Sequence, residues 1–260
     1  MTSELYLDYD TVIHRLDART KLLIFVFSFI GLVLFEHPLW ILPVAALILL
    51  QTTLARAWVN VWRIRALLIV LTISSVIMWN IFASGEIHLF WFFDLESLLY
   101  SLARTMLILL MILCGVNLIS TTRNEELVLG MIGLGLPYRV GFAISTALRL
   151  VPTIASSIYT ISQAQRSRGL DLEGGSILAR IKKYVPLLIP VFISTIRNTN
   201  VFGMALESKG FGAREDRTFY LKLEMRLPDY FVLAFGVILS IVAIILDLRG
   251  FGAIPGLTRF

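Results

Sequence analysis

Ala164-Gln165-Arg166-Ser167-Arg168-Gly169 and Ala205-Leu206-Glu207-Ser208-Lys209-Gly210 each close a long helical pattern in the middle of this sequence. Both follow the frame Ala-x-x-Ser-Arg/Lys-Gly, and an apolar residue comes next, Leu170 in one and Phe211 in the other. A cation in a last helical turn complements the helix dipole, and a glycine just past it takes the left-handed conformation. On spacing and composition alone these endings are helix caps. An exposed guanidinium at a helix tip is also suited to a two-pronged bond with a carboxylate of another protein.

Outward from the first ending, residues 138–168 read as one helical stretch bent at Pro152. Small residues (Ala143, Ser145, Ala147, Ala155, Ser156, Ser157) alternate there with apolar ones and Arg149, and small residues let helices approach closely. Residues 169–175 predict a turn, with Ser176 as the N-cap of the next helix. That helix, 176–209, should bend near Pro186 and Pro190. Both stretches are too amphipathic for plain spans and too apolar for free helices. They are expected at or just below the cytoplasmic surface, packed on each other, with 185–195 dipping into the bilayer. Residues 121–228 as a whole carry 14 Lys and Arg against 8 acids.

The flanks are membrane-spanning. Hydrophobic residues make up 57% of the 260-residue chain, against roughly 45–50% in soluble proteins. The apolar runs are unbroken, which fits helices and not the alternation of barrel strands. They cover 22–35, 39–54, about 66–83, 98–119 and 230–246. The first approaches the roughly 20 residues a span needs only if Ala18–Lys21 join it and their cations snorkel to the interface. Loop 55–65 carries Arg56, Arg63 and Arg65 and no acid, whereas loop 85–97 carries Glu86, Asp94 and Glu96 and no Lys or Arg. Positive loops stay in the cytoplasm. The N-terminus, 55–65 and 120–228 are therefore expected inside, 36–38 and 85–97 outside. Five spans leave the C-terminus outside, with Arg249 and Arg259 mildly against it.

The expected fold is an all-α integral membrane protein. About five transmembrane helices are joined by long amphipathic cytoplasmic helices. Its parts are 1–120 with four spans, the cytoplasmic region 121–228, and 229–260 with the last span and a tail.

The search for chemistry finds little. No phosphate-binding Walker loop is present. His14, His37 and His88 fall in separate segments on opposite expected sides, so no metal cluster forms. Glu125-Glu126 resembles the double glutamate of membrane CAAX-type proteases, but Gly130 stands where that pattern wants arginine; the pair starts a helix, where acids suit the dipole. Arg104 is the one intramembrane charge, expected to snorkel outward, and Asn80 and Asn117 are expected to hydrogen-bond between helices. Cys114 sits in an apolar run as a small packed hydrophobe. Phe90-Trp91-Phe92-Phe93 reads as an interfacial aromatic belt. The net charge of +5 lies beside membrane segments and points to anionic lipid and topology, not to nucleic acid. Two rival readings are a self-sufficient carrier, which needs a polar path through the spans, and an intramembrane enzyme, which needs converging catalytic groups.

The residues also carry a family resemblance over nearly the whole length. His14-Arg15-Leu16-Asp17-Ala18-Arg19-Thr20-Lys21 precedes the first span; Gly135-Leu136-Pro137-Tyr138-Arg139 and Ala147-Leu148-Arg149-Leu150-Val151-Pro152 follow the fourth; and the two cation–glycine endings close the pattern. The chain resembles the T component, the energy-coupling transmembrane scaffold, of energy-coupling factor (ECF) ABC transporters. That resemblance implies a non-catalytic subunit in a prokaryotic plasma membrane. It implies coupling helices that dock two cytoplasmic ABC ATPases, which bind ATP and Mg while this chain binds no cofactor. It also implies a membrane-embedded S component that releases a vitamin or transition-metal ion inside. The docking residues it implies are Arg168 and Lys209 with Ser167, Gly169, Ser208 and Gly210, and with Arg166 and Glu207 beside them. Lys209 departs from the pattern, where arginine is usual; lysine lacks the planar fork, which implies a weaker or asymmetric second dock.

Overall fold

A computed structural model describes residues 6–84, 88–90, 93–170, 177–213, 223–251 and 258–259. Trp91 and Phe92 of the aromatic run, and residues 171–176, which hold most of the expected turn and its N-cap Ser176, lie outside them. In chain order come α1 (Ala18–Val33), α2 (Pro38–Leu54), α3 (Trp58–Arg63), α4 (Arg65–Phe82), β1 (Ala83–Ser84), β2 (His88–Phe90), β3 (Phe93–Asp94) and α5 (Leu95–Thr121). Then follow α6 (Asn124–Gly133), α7 (Tyr138–Ser167), α8 (Ile177–Ser208), α9 (Leu227–Leu248) and β4 (Thr258–Arg259). The chain divides into two compact units, Met1–Pro137 with Leu223–Phe260, and Tyr138–Lys222.

In the first unit α5 is the hub: α1, α2 and α4 pack on it, and α1 also carries α6 and α9. Leu32, Ile41, Ile48, Leu110, Leu113 and Cys114 form its buried apolar centre. Apolar residues also cover the outside, so hydrophobicity does not distinguish the interior. On α4, for example, Leu67, Ile69, Val70, Ile73, Ile77 and Ile81 are exposed. Buried polar pairs make the distinction. Asn80 Nδ2 donates to Ser101 Oγ at 2.9 Å and Thr105 to Ser75 at 3.0 Å, joining α4 to α5. Asn117 Nδ2 donates to Thr52 Oγ1 at 2.9 Å, joining α5 to α2. Asn60 Nδ2 donates to Ser120 Oγ at 2.7 Å, joining α3 to α5. Such bonds are worth about 0.6–2 kcal/mol each between membrane helices. Asn80 and Asn117 thus do what the sequence suggests.

Two charges find partners that the sequence does not show, and one of them, Lys21, departs from the expectation. Arg104 does not reach outward alone: its Nη2 lies 3.3 Å from Glu36 Oε1, and its guanidinium sits 4.9 Å above the Tyr100 ring. The partner stands in the turn after α1, a segment expected outside, so Arg104 reaches the expected side and is also paired there. Lys21 does not snorkel; it is buried, and its Nζ donates to Thr121 O at 2.8 Å and His14 O at 3.0 Å. The last carbonyls of α5 have no partners within their own helix, and an ammonium from the first turn of α1 satisfies one of them.

A short antiparallel pairing of β1 with β4, Ala83 opposite Arg259 and Ser84 opposite Thr258, puts the described end of the chain on the same side of the unit as the end of α4. Among the described residues five helices are long and apolar enough to cross a membrane: α4, 97–121 of α5, α7, 183–208 of α8, and α9. The protein is accordingly an all-α membrane protein. The runs read as the first two spans form helices of 16 and 17 residues, α1 and α2. The stretches read as surface helices, α7 and α8, have the length and apolar content of spans.

The second unit is built on α7 and α8, which run antiparallel. Gln165 Nε2 donates to Pro186 O at 3.4 Å near one end of the pair. At the other end the rings of Phe142 and Phe211 lie 4.4 Å apart, with Tyr138 against Phe211 at 6.5 Å. Going back along α7 from 165 to 142 matches going forward along α8 from 186 to 211, as antiparallel helices require. Pro152, Pro186 and Pro190 stand inside the helices, each removing one rung of the hydrogen-bond ladder.

Candidate functional site

The two cation–glycine endings form the same pattern of backbone hydrogen bonds. After α7, the Leu170 N–H donates to Gln165 O at 3.1 Å and the Gly169 N–H to Arg166 O at 2.9 Å. After α8, the Phe211 N–H donates to Leu206 O at 2.9 Å and the Gly210 N–H to Glu207 O at 2.9 Å. These crossed bonds define the Schellman motif, with the glycine at its left-handed position. The φ angles are +90° at Gly169 and +72° at Gly210. A side chain at either place would meet open space, the nearest atom being Ala213 Cβ at 3.9 Å from a Cβ on Gly210. The requirement for glycine is therefore one of backbone conformation and not of room.

The motif fixes where the side chains go. Arg168 and Lys209 occupy the Ccap position, where the chain leaves the helix axis, and both are exposed. Among the described residues neither makes an ion pair. The serine hydroxyls turn back on their own helices, Ser167 Oγ to Gln163 O at 3.1 Å and Ser208 Oγ to Ala205 O at 2.9 Å. Each hydroxyl thereby keeps its acceptor lone pairs toward solvent. Arg166 and Glu207 are the matching exposed residues at C2, so the first tip is more basic than the second. Because the helices are antiparallel, the tips lie at opposite ends of the pair, roughly 35 Å apart at 1.5 Å per residue.

Beneath the tips the two ends differ. Phe211, the residue after the second glycine, packs on Phe142 and Tyr138 at the start of α7. At the first tip the tie to the partner helix is instead the hydrogen bond from Gln165. The sequence reading named the cations and glycines but not this aromatic anchor. Its signal was the Leu170/Phe211 difference after otherwise matching frames. Among the described residues no group of three or more His, Cys, Asp or Glu side chains is placed to hold a metal ion. The arrangement places an exposed cation at the Ccap of each of two capped helix ends.

Known proteins are similar to this chain along most of its length. Residues 10–220 match the family described as CbiQ, cobalt transport protein. A protein of Staphylococcus aureus named energy-coupling factor transporter transmembrane protein EcfT is 33% identical over 261 residues, covering 94% of this chain and 96% of the relative. Proteins of the same name from Limosilactobacillus fermentum and Lactococcus lactis are 31% and 30% identical, covering 91% and 92% of this chain. The chain belongs to this family of energy-coupling transmembrane proteins.

Proposed function

We propose that the protein is the transmembrane scaffold of an ECF-type importer, joining two cytoplasmic ABC ATPases to a membrane S component that carries a vitamin or transition-metal ion. The observation that carries the reading is the duplicated cap: two matching backbone motifs, each presenting an exposed cation at its Ccap, at opposite ends of one antiparallel pair. Two docks at two ends suit a dimer of ATPases better than a single regulator. ATP and Mg would be bound by those ATPases, and the chain itself would act without catalysis. The name the relatives share supports the same assignment.

Arg168, with Ser167, Gly169 and Arg166, would take one ATPase; Lys209, with Ser208, Gly210 and Glu207, the other. A carboxylate on each ATPase would receive the cation, with the helix tip seated in a groove around it. This requires 121–228 to face the cytoplasm, as the charge of the loops implies. The test is co-purification of the complex with Arg168→Glu. The variant should insert and purify as a monodisperse membrane protein, yet lose the ATPases and solute uptake. Retained ATPases with normal uptake would overturn the docking assignment.

A further inference from the structure

We propose that the elbow joining α2 to α4 is a binding site for the phosphate-bearing headgroup of an anionic phospholipid, in the leaflet that the loop charges make cytoplasmic. The elbow carries Arg56, Arg63 and Arg65 within ten residues and no acid. Among the described residues none of the three forms an ion pair. Arginine presents a planar fork that matches phosphate oxygens, so charge complementarity sets the occupant as an anion.

The elbow is built to present these groups. Its inner face is fixed: Ala55 and Ala57 are fully buried, and buried Asn60 bonds Ser120 on α5 at 2.7 Å. Asn60 also accepts from Arg63 Nη1 at 3.0 Å, which holds that guanidinium while leaving its other N–H groups unused by the bond. The outer face shows Trp58 and Trp62, one helical turn apart, 39% and 63% exposed. Indole rings prefer the zone where acyl chains meet headgroups. The Arg65 guanidinium lies over the Trp62 ring, 5.2 Å from its centre, a contact made through the guanidinium's face.

Arg56 adds a separate observation. It is the one non-glycine residue with positive φ, +53°, among the described residues. A β-carbon there has a conformational cost that glycine would avoid. The strained backbone turns an exposed cation to the surface beside Leu54, itself 48% exposed. The apolar, exposed side of α4 begins at the same corner, with Leu67 and Val70. Aliphatic chains along α4, indoles at the boundary and three guanidiniums beyond it follow the order of a phospholipid from tail to phosphate.

The test is tryptophan quenching by brominated lipids with the full chain in phosphatidylcholine vesicles. Brominated phosphatidylglycerol should quench at about tenfold lower mole fraction than brominated phosphatidylcholine, given the attraction of each cation to an anionic surface. R56Q/R63Q/R65Q should lose that preference, R56K/R63K/R65K should keep only part of it, and R139Q/R197Q/R249Q should keep all of it. Equal quenching by the two lipids in the wild-type chain would overturn the proposal without reference to any variant. So would equal loss in the control triple variant, or full retention by the lysine variant, since either reduces the effect to diffuse charge. Loss of the preference on adding inorganic phosphate at constant ionic strength would show a free-anion site instead and would also overturn it.

Discussion

The Asp229 carboxylate accepts the backbone N–H of Asp17 at 2.9 Å, across 212 residues of sequence. Its second oxygen accepts the N–H of Arg226 at 2.8 Å, closing the start of α9, while Asp17 caps α1 by accepting from the Arg19 N–H at 2.8 Å. One buried acid thus holds the first and last long helices of its unit together. Hydrogen bonds to charged groups contribute about 1.5–3 kcal/mol each. Asp229→Ala should lower the midpoint of thermal unfolding in detergent clearly, and Asp229→Asn, which keeps one acceptor, by less. An unchanged midpoint in Asp229→Ala would show that water replaces the bonds.

The two proposed docks should differ in strength. Lys209 is a point charge where Arg168 has a fork, and the acid Glu207 stands where Arg166 stands in the first tip. Lys209→Ala should reduce ATPase retention and uptake less than Arg168→Ala, and Lys209→Arg should tighten retention. Equal losses from the two alanine variants would mean that the lysine is a full substitute.

The glycines should be limited by conformation alone. Gly169→Ala and Gly210→Ala should each cost about 1–2 kcal/mol, the penalty for a left-handed non-glycine residue, because a Cβ meets nothing closer than 3.9 Å. Hydrogen exchange at the Leu170 and Phe211 amides should quicken in the respective variants, with the rest of α7 and α8 unaffected. Exchange at wild-type rates would indicate that the caps tolerate alanine.

His14, which precedes α1, introduces a pH dependence. Partial burial holds its imidazole below the usual histidine range, against the opposing effect of the 3.0 Å contact with Leu7 O. With the folded value below the unfolded one, the unfolded chain binds the extra proton first. Stability is then complete above the ordinary value of about 6.5 and declines as pH falls below it. Unfolding midpoints at pH 7.5 and 5.5 should differ more for the wild-type chain than for His14→Gln. Equal differences would assign the acid sensitivity to other groups.

What could be read in the sequence follows the range of the interactions involved. Apolar runs and prolines act locally, so the helices at 38–54, 65–82 and 227–248 were visible as runs. The Schellman caps were visible too, since Ser-Arg-Gly and Ser-Lys-Gly carry the conformational signal in three residues. The partners of Lys21, Arg104 and Asp229 were not. Thr121, Glu36 and Asp17 each stand in another segment, up to 212 residues away, and a charge beside an apolar run looks the same whether it snorkels or finds a buried acceptor. The membrane depth of α7 and α8 was ambiguous for a related reason: their composition lies between that of a span and that of a surface helix.

A hairpin pinned at both ends, by Gln165 to Pro186 and by Phe211 to Phe142, has a mechanical consequence. An α-helix is stiff along its axis and does not shorten under modest load. If its two tips are gripped by bodies that approach one another, the hairpin can only shear, α7 sliding past α8, or pivot as a whole. Either motion turns a closing movement into a sideways one, as a pantograph does. Gln165→Cys and Pro186→Cys joined by a bifunctional thiol crosslinker should block the sliding route and leave pivoting, so that uptake persisting under the crosslink identifies the hairpin as a rigid rocker.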